Sequence, residues 1–244
     1  EYWRDWSSDV CSSDLGIVLP VLALLVPASA GLAQEPDRVR LTDKTDIRGE
    51  IVAVSPNDVD IRAVGSGEPR RVTMDTVATV EFGDEPERLR TARALLLRRD
   101  AAGALEEIDA IDQVELDGAS NNVLTDVAFI KAAARARLAT AGGTGLEPAV
   151  EGLRAFLTSH ARSHHVYRAQ EMLGDLLVRA GKFPEAEAAY ATLAQGPPAF
   201  KVRAAVAKAA ALVAQKKYAE ARSEEHTSEL QSRQYLVCRL LLEK

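Results

Sequence analysis

Three neighbouring histidines are the residues of this sequence best suited to chemistry. His160 and His164 are four positions apart, a spacing that places two imidazoles on one face of a helix, where they could bind a metal ion. The run from Ser159 to Ser163 is instead typical of a turn between helices, and His164 and His165 follow it directly. No glutamate separates the histidines, and no carboxylate partner is evident nearby in the sequence. We therefore expect solvated turn histidines and predict no metal site.

Other motifs that support catalysis are not found in the sequence. The acidic run from Glu106 to Asp117 lacks the oxygen spacing and the turn glycine of a calcium loop, so it predicts a solvated helix face. The glycines at 142–145 neither follow a strand nor precede a lysine, as a phosphate-binding loop requires. A nucleophile elbow and a pair of catalytic acids are also missing. The sequence predicts no catalytic residue and no cofactor.

Both ends of the chain read as translated sequencing adapter. The peptide RSEEHTSELQS at Arg222–Ser232 back-translates to a widely used adapter, and DWSSDVCSSDL at Asp5–Leu15 back-translates to its reverse complement. Tyr235–Lys244 fits the downstream part of the same oligonucleotide. We therefore expect residues 1–15 and 222–244 not to be native; the alternative is a Ser/Asp-rich arm and a short helix. Both cysteines, Cys11 and Cys238, lie in these ends, so no disulfide or thiolate site is predicted.

Gly16–Ala33 has the pattern of a signal peptide. A short apolar run from Ile17 to Val26 is followed by small residues that suit a cleavage site ending near Ala33. About ten apolar residues are too few for a membrane span, which needs about 20. The pattern predicts export to the periplasm or cell envelope and no stable membrane span after cleavage; the alternative is a buried core helix.

The charge balance argues against a nucleic-acid-binding protein. The chain has 36 acidic and 30 basic residues and a formal net charge of −6. Proteins that bind nucleic acid usually carry a basic face to neutralise phosphates. We therefore predict no nucleic-acid partner.

Residues 38–83 alternate between apolar and polar side chains. This period of two is typical of half-buried strands, and three turn signals divide the segment into about five short strands. The stretches Leu41–Thr45, Arg48–Val52 and Asp58–Ile61 resemble the opening strands of Sm-like small barrels. That resemblance implies a five-stranded β-barrel closed by a strand at Val77–Phe82. Sm-like barrels often bind RNA, but acidic turns and the expected export favour a structural or protein-contact barrel here.

Residues 84–221 change to helical periodicity and form repeating helix pairs. Asp84 or Glu85 could cap the first helix, and Val123, Val127 and Ile130 begin the apolar stripe of a long helix. The small residues Ala104, Ala149, Ala186 and Ala221 recur in register at the second helix of successive pairs. Such recurrence indicates a helical array.

Tyr167–Phe200 resembles the 34-residue tetratricopeptide repeat. The repeat-defining residues are Leu173, Gly174, Leu177, Ala186, Tyr190 and Pro198, whereas Gln170 and Leu193 depart from the pattern. Tetratricopeptide arrays bind partner segments on the concave face of their first helices. The resemblance implies a protein or peptide partner at the exposed positions of that face: Arg168, Glu171, Asp175 and Arg179. The alternative is that these four residues are merely solvated.

The sequence thus predicts an α+β chain in separate parts, with a small five-stranded β-barrel followed by an α-helical, tetratricopeptide-like solenoid. The predicted function is that of a non-catalytic, exported scaffold or protein-interaction protein of the bacterial cell envelope. Two alternatives remain open at this point. The barrel could be a ligand or nucleic-acid module, or a catalytic domain could lie beyond residue 221.

Overall fold

The computed structural model describes residues 35–142 and 145–223, all within one compact unit that begins at Gln34. The predicted signal peptide and the predicted N-terminal adapter segment lie outside these residues. The predicted C-terminal adapter segment also lies outside them, apart from Arg222 and Ser223, which are helical.

Five antiparallel strands form one sheet, as the alternating pattern predicts. The sheet order is β4-β3-β2-β1-β5, and the strands are β1 (Asp37–Leu41), β2 (Asp46–Val54), β3 (Asp58–Ala63), β4 (Arg70–Thr73) and β5 (Val77–Glu81). Val39 pairs with Ile47 on one side and with Val80 on the other, and all three are buried. Alternate residues of neighbouring strands therefore share one buried face.

The two edges of this sheet are β4 and β5, which are separated by a one-turn 3-10 helix at Met74–Thr76. Closure into a barrel would require these two strands to pair. Among the described strands, β4 pairs with β3 and β5 pairs with β1. The five-stranded antiparallel sheet is confirmed, and the closed barrel remains a prediction.

Helices follow the sheet from Glu87 onward, as the change of periodicity predicts. Their bounds are α1 (Glu87–Leu97), α2 (Ala101–Asp109), α3 (Gln113–Leu116), α4 (Asn121–Gly142), α5 (Leu146–Ser159), α6 (Val166–Arg179), α7 (Phe183–Leu193) and α8 (Pro198–Ala214). A further helical stretch covers residues 218–223. The chain is therefore α+β, with its described strands before its described α-helices.

The longer helices pack in two rows. Helices α1, α4, α6 and α8 contact one another in that order, and we call them the inner row. Helices α2, α5 and α7 each pack between two successive members of the inner row. Consecutive helices thus form antiparallel hairpins that stack side by side.

The sheet packs against the inner row of helices. The Tyr167 hydroxyl of α6 donates a hydrogen bond to Asn57 Oδ1 before β3, at 3.0 Å. The 3-10 helix between β4 and β5 contacts α8. Buried side chains of both parts belong to a single hydrophobic cluster. The sheet therefore covers part of the inner row.

Within the described residues, every helix is too short or too polar to cross a lipid bilayer.

Candidate functional site

The four residues predicted to face a partner lie along α6, and two of them contact other parts of the chain. Glu171 accepts two hydrogen bonds from Arg203 of α8, one of them at 2.9 Å from Nε. Asp175 accepts a hydrogen bond from the Tyr190 hydroxyl at 2.8 Å. Arg168 and Arg179 are exposed. The alternative interpretation, that the four residues are merely solvated, therefore fits the exposed Arg179. It fits Glu171 less well, because Arg203 binds that carboxylate.

The residues that define the tetratricopeptide resemblance pack at the junction of α6 and α7. Five of them are buried, namely Leu173, Gly174, Leu177, Ala186 and Tyr190, and Pro198 is the first residue of α8. A Cβ atom added at Gly174 would lie 2.3 Å from Cε1 of Tyr190. The glycine therefore lets the tyrosine ring lie directly against the α6 backbone.

Two of the three histidines are buried, so the prediction of solvated turn residues is wrong for them. Only 9% of His164 is exposed, and the His165 side chain is 13% exposed. The turn between α5 and α6 folds against α4, where the His165 ring stacks on Phe129 with a centroid distance of 3.8 Å. His160 is half-buried and lies 3.2 Å from the Thr125 hydroxyl through Nδ1.

The expectation that no carboxylate lies near the histidines is also wrong. Asp126 of α4 is fully buried, and its Oδ1 lies 2.9 Å from His165 Nε2 and 3.5 Å from His164 Nε2. The sequence separation between Asp126 and the histidines hides this contact. A signal was nevertheless present, because Asp126 lies between Val123 and Ile130 on the apolar stripe of α4, where an unpaired charge would be costly.

Arg93 of α1 joins Asp126 to a second buried carboxylate, Glu85. Its guanidinium donates to Glu85 at 3.0 and 2.7 Å and to Asp126 Oδ2 at 2.8 Å. Glu85 was predicted as a possible cap of α1, but α1 begins after Pro86, and the Glu85 side chain turns inward to this pair instead. We call Glu85, Arg93, Asp126, His164 and His165 the buried cluster.

Burial and charge set the ionisation of the buried cluster. Desolvation opposes ionisation of Asp126, but the hydrogen bond with His165 and the positive charge of Arg93 hold the pKa of its carboxyl well below the ordinary value. Desolvation lowers the pKa of His164 to about 3. Desolvation also lowers the pKa of His165, although Asp126 partly opposes this effect. At neutral pH Asp126 is therefore ionised, Arg93 is charged, and both imidazoles are neutral.

A cavity of about 80 Å³ lies where the inner row meets β5. Its wall includes apolar side chains such as Leu97, Met172 and Phe200, the two buried histidines and Arg168. Arg168 makes no hydrogen bond or ion pair with any described residue, and surrounding protein lowers its pKa even though the residue is exposed. The cavity therefore combines an apolar wall with a cation that a ligand could reach.

A second, more polar cavity of about 380 Å³ lies on another side of His164. It is bordered by Val54, by the start of α4 and by residues 158–164, including His160. His164 thus lies between two cavities.

Comparison of the chain with family models, with curated proteins and with solved structures finds no match.

Proposed function

We propose that this protein is a non-catalytic, exported scaffold that binds a protein or peptide partner in the bacterial cell envelope. The observation that carries the proposal is the cavity between β5 and the inner row, where apolar side chains lie beside Arg168, a cation without an ion pair to any described residue. This position lies on the helix face that tetratricopeptide arrays use for partner segments.

The side chains around the cavity indicate which kind of partner segment could bind there. Leu97 is 58% exposed at the cavity, although it is a large apolar residue. A partner segment that inserts an apolar side chain here would remove that surface from water. A carboxylate on the same segment would pair with Arg168 as a charge-assisted hydrogen bond. The proposed partner is thus an extended segment with an apolar residue next to an acidic one.

Two features of the fold, the packing of the helices and the order of the strands, support the scaffold proposal. The stacked hairpins and the contact between Gly174 and Tyr190 favour a tetratricopeptide-like array. The strand order and the 3-10 helix before β5 favour a small barrel that adds a rigid wall to the inner row.

Site-directed photocrosslinking tests where the partner binds. A photoreactive phenylalanine analogue is placed at Leu97 beside the cavity or at Val114 of α3, which is 80% exposed. We expect a discrete crosslinked product from an envelope extract at position 97 and none at position 114. Arg168→Glu should abolish the product, whereas Arg70→Glu, at a residue that lines neither of the two described cavities, should leave it unchanged. Equal crosslinking at both positions, or none at either, would refute the proposal.

Export is tested separately, because it rests on residues 16–33 alone. We expect N-terminal sequencing of the protein recovered from an envelope fraction to begin just after Ala30 or Ala33. Recovery of the uncleaved segment from the cytoplasm would contradict export without affecting the binding proposal.

A further inference from the structure

Three potential metal-binding atoms converge inside the buried cluster. One ligand atom from each of Asp126, His164 and His165 lies within 4.8 Å of the other two. The Nε2 atoms of both imidazoles approach the same carboxylate oxygen, Oδ1, at 2.9 and 3.5 Å. A zinc ion bound at about 2.0–2.2 Å from each atom needs ligand atoms roughly 3–4 Å apart, so small shifts suffice.

His164 has an unsatisfied polar atom at this place. Its Nε2 is buried and has no hydrogen-bond partner among the described residues. A buried polar atom without a partner costs free energy, and such atoms are rare in native proteins. Its distance of 3.5 Å from Oδ1 is too long for a good hydrogen bond but leaves room for an ion between the two atoms.

The neighbouring groups have the arrangement that supports metal ligands. Arg93 binds Oδ2 of Asp126 and leaves Oδ1 for the histidines. Glu85 lies on the other side of Arg93 and offsets the positive charge that would otherwise repel a cation. Stacking on Phe129 fixes the ring of His165. Hydrogen-bonded carboxylates and oriented imidazoles are the usual outer support of such sites.

We propose that Asp126, His164 and His165 bind a divalent transition-metal ion, with zinc as the first choice. Two imidazoles and one carboxylate suit zinc and its neighbours better than magnesium or calcium, which prefer oxygen ligands. Nε2 of each ring would then bind the ion, so each ring must carry its proton on Nδ1. The ion would lie between His165 Nε2 and Asp126 Oδ1 and replace their direct hydrogen bond. Both histidines also line the cavity beside β5, so a water molecule can complete the coordination. This site is independent of partner binding.

Zinc binding to the full chain tests the proposal. The protein is prepared without a polyhistidine tag and with Cys11→Ser and Cys238→Ser, so that terminal thiols cannot bind the metal. After treatment with a chelator, zinc is titrated by calorimetry and by competition with a chromophoric chelator. We expect one zinc per chain, with micromolar or tighter affinity, and a higher unfolding temperature with zinc.

His164→Gln is the decisive variant, because the Nε2 it removes has no hydrogen-bond partner in the part of the chain that the structure describes, and the fold should persist. We expect at least a tenfold loss of zinc affinity and loss of the thermal shift, with an unchanged circular dichroism spectrum. His160→Gln is the matched control and should bind zinc like the parent. Cobalt substitution should give a visible absorption spectrum that His164→Gln weakens.

Two results would overturn the proposal. One is stoichiometric zinc binding that His164→Gln leaves unchanged. The other is the absence of zinc binding by the folded parent protein, which would show that the buried cluster only joins helices.

Discussion

Arg93 lies between Glu85 and Asp126 and holds three elements together. Glu85 precedes α1, Arg93 belongs to α1, and Asp126 belongs to α4, where it also contacts the turn before α6 through His165. Buried ion pairs often add little net stability over apolar residues of the same size, because desolvation offsets the attraction. Removing one partner is different, since it leaves the other charges buried and unpaired.

Arg93→Met should therefore be strongly destabilising. We expect the free energy of unfolding to fall by about 3–5 kcal/mol, because Glu85 and Asp126 lose their buried cation. Urea denaturation followed by circular dichroism measures this change. Arg71→Met, which breaks the exposed pair with Asp60 on the sheet, is the control and should have a much smaller effect. Similar losses in the two variants would contradict the assigned role of Arg93.

Stability should also depend on pH through the buried histidines. Burial lowers the pKa of both imidazoles in the folded state, and to about 3 for His164. Below about pH 6.5 the unfolded chain binds protons that the folded chain rejects, so stability falls as the pH falls. For His164 the slope should approach about 1.4 kcal/mol per pH unit between about pH 6 and pH 5, and His165 should add to it. Urea titrations in the presence of a chelator measure it.

His164→Gln should make this slope shallower, because one of the two protonation events is removed. Carboxylates with lowered pKa values, including Asp126, affect stability mainly below about pH 5, so the window above that value reports on histidine. A flat stability profile between about pH 5 and 6.5 would show that the histidines are not protected from protonation in the folded state.

The contacts within the buried cluster could not be predicted from the sequence. Helical spacing correctly places Asp126 and Arg93 within α4 and α1. It cannot show that the turn carrying His164 and His165 folds onto α4, because that contact joins residues far apart in sequence. The informative signal was that a charged residue, Asp126, stands on the apolar stripe of α4. A charge there needs a buried group of opposite charge or a hydrogen-bond donor, but the sequence does not show which residue supplies it.

At the scale of elements, the hairpin of α6 and α7 depends on a close approach of two helices. Gly174 provides the space, and the Tyr190 ring fills it while its hydroxyl bonds to Asp175 on the same helix as Gly174. Tyr190 is 1% exposed, so the ring has little room to move away. This junction was predictable, since a glycine and a large aromatic recur at these positions in the repeat that the segment resembles.

Gly174→Ala should destabilise the protein despite the better helix propensity of alanine. The added methyl group would overlap the Tyr190 ring, and overpacking of this kind costs about 1–3 kcal/mol. Gly152→Ala in α5 is the matched control, because no described atom lies within 4 Å of its added Cβ. That control should stabilise the protein by roughly 0.5–1 kcal/mol. Urea denaturation of both variants measures the change in the free energy of unfolding, which should have opposite signs in the two. A stabilising effect of Gly174→Ala would contradict the close packing.

At the scale of the whole molecule, the sheet and the helices pack as one unit. Strand and helix positions were predictable because periods of two and of about 3.6 residues are local properties of the sequence. The packing of the sheet onto the inner row was not, since it depends on contacts between distant segments such as Asn57 and Tyr167. The sheet therefore covers part of the inner row, and the proposed partner would have to bind the remainder.

Native-state hydrogen exchange by mass spectrometry tests this packing most directly. Amides of β3, where Val59 and Ile61 are fully buried, are compared with amides of α4 and α6 as urea is raised below the unfolding transition. A single packed unit predicts that the opening free energies of the three elements converge to one value and decline together. If β3 exchanges at a lower urea concentration while α4 and α6 stay protected, the sheet is an independent domain and the account is wrong.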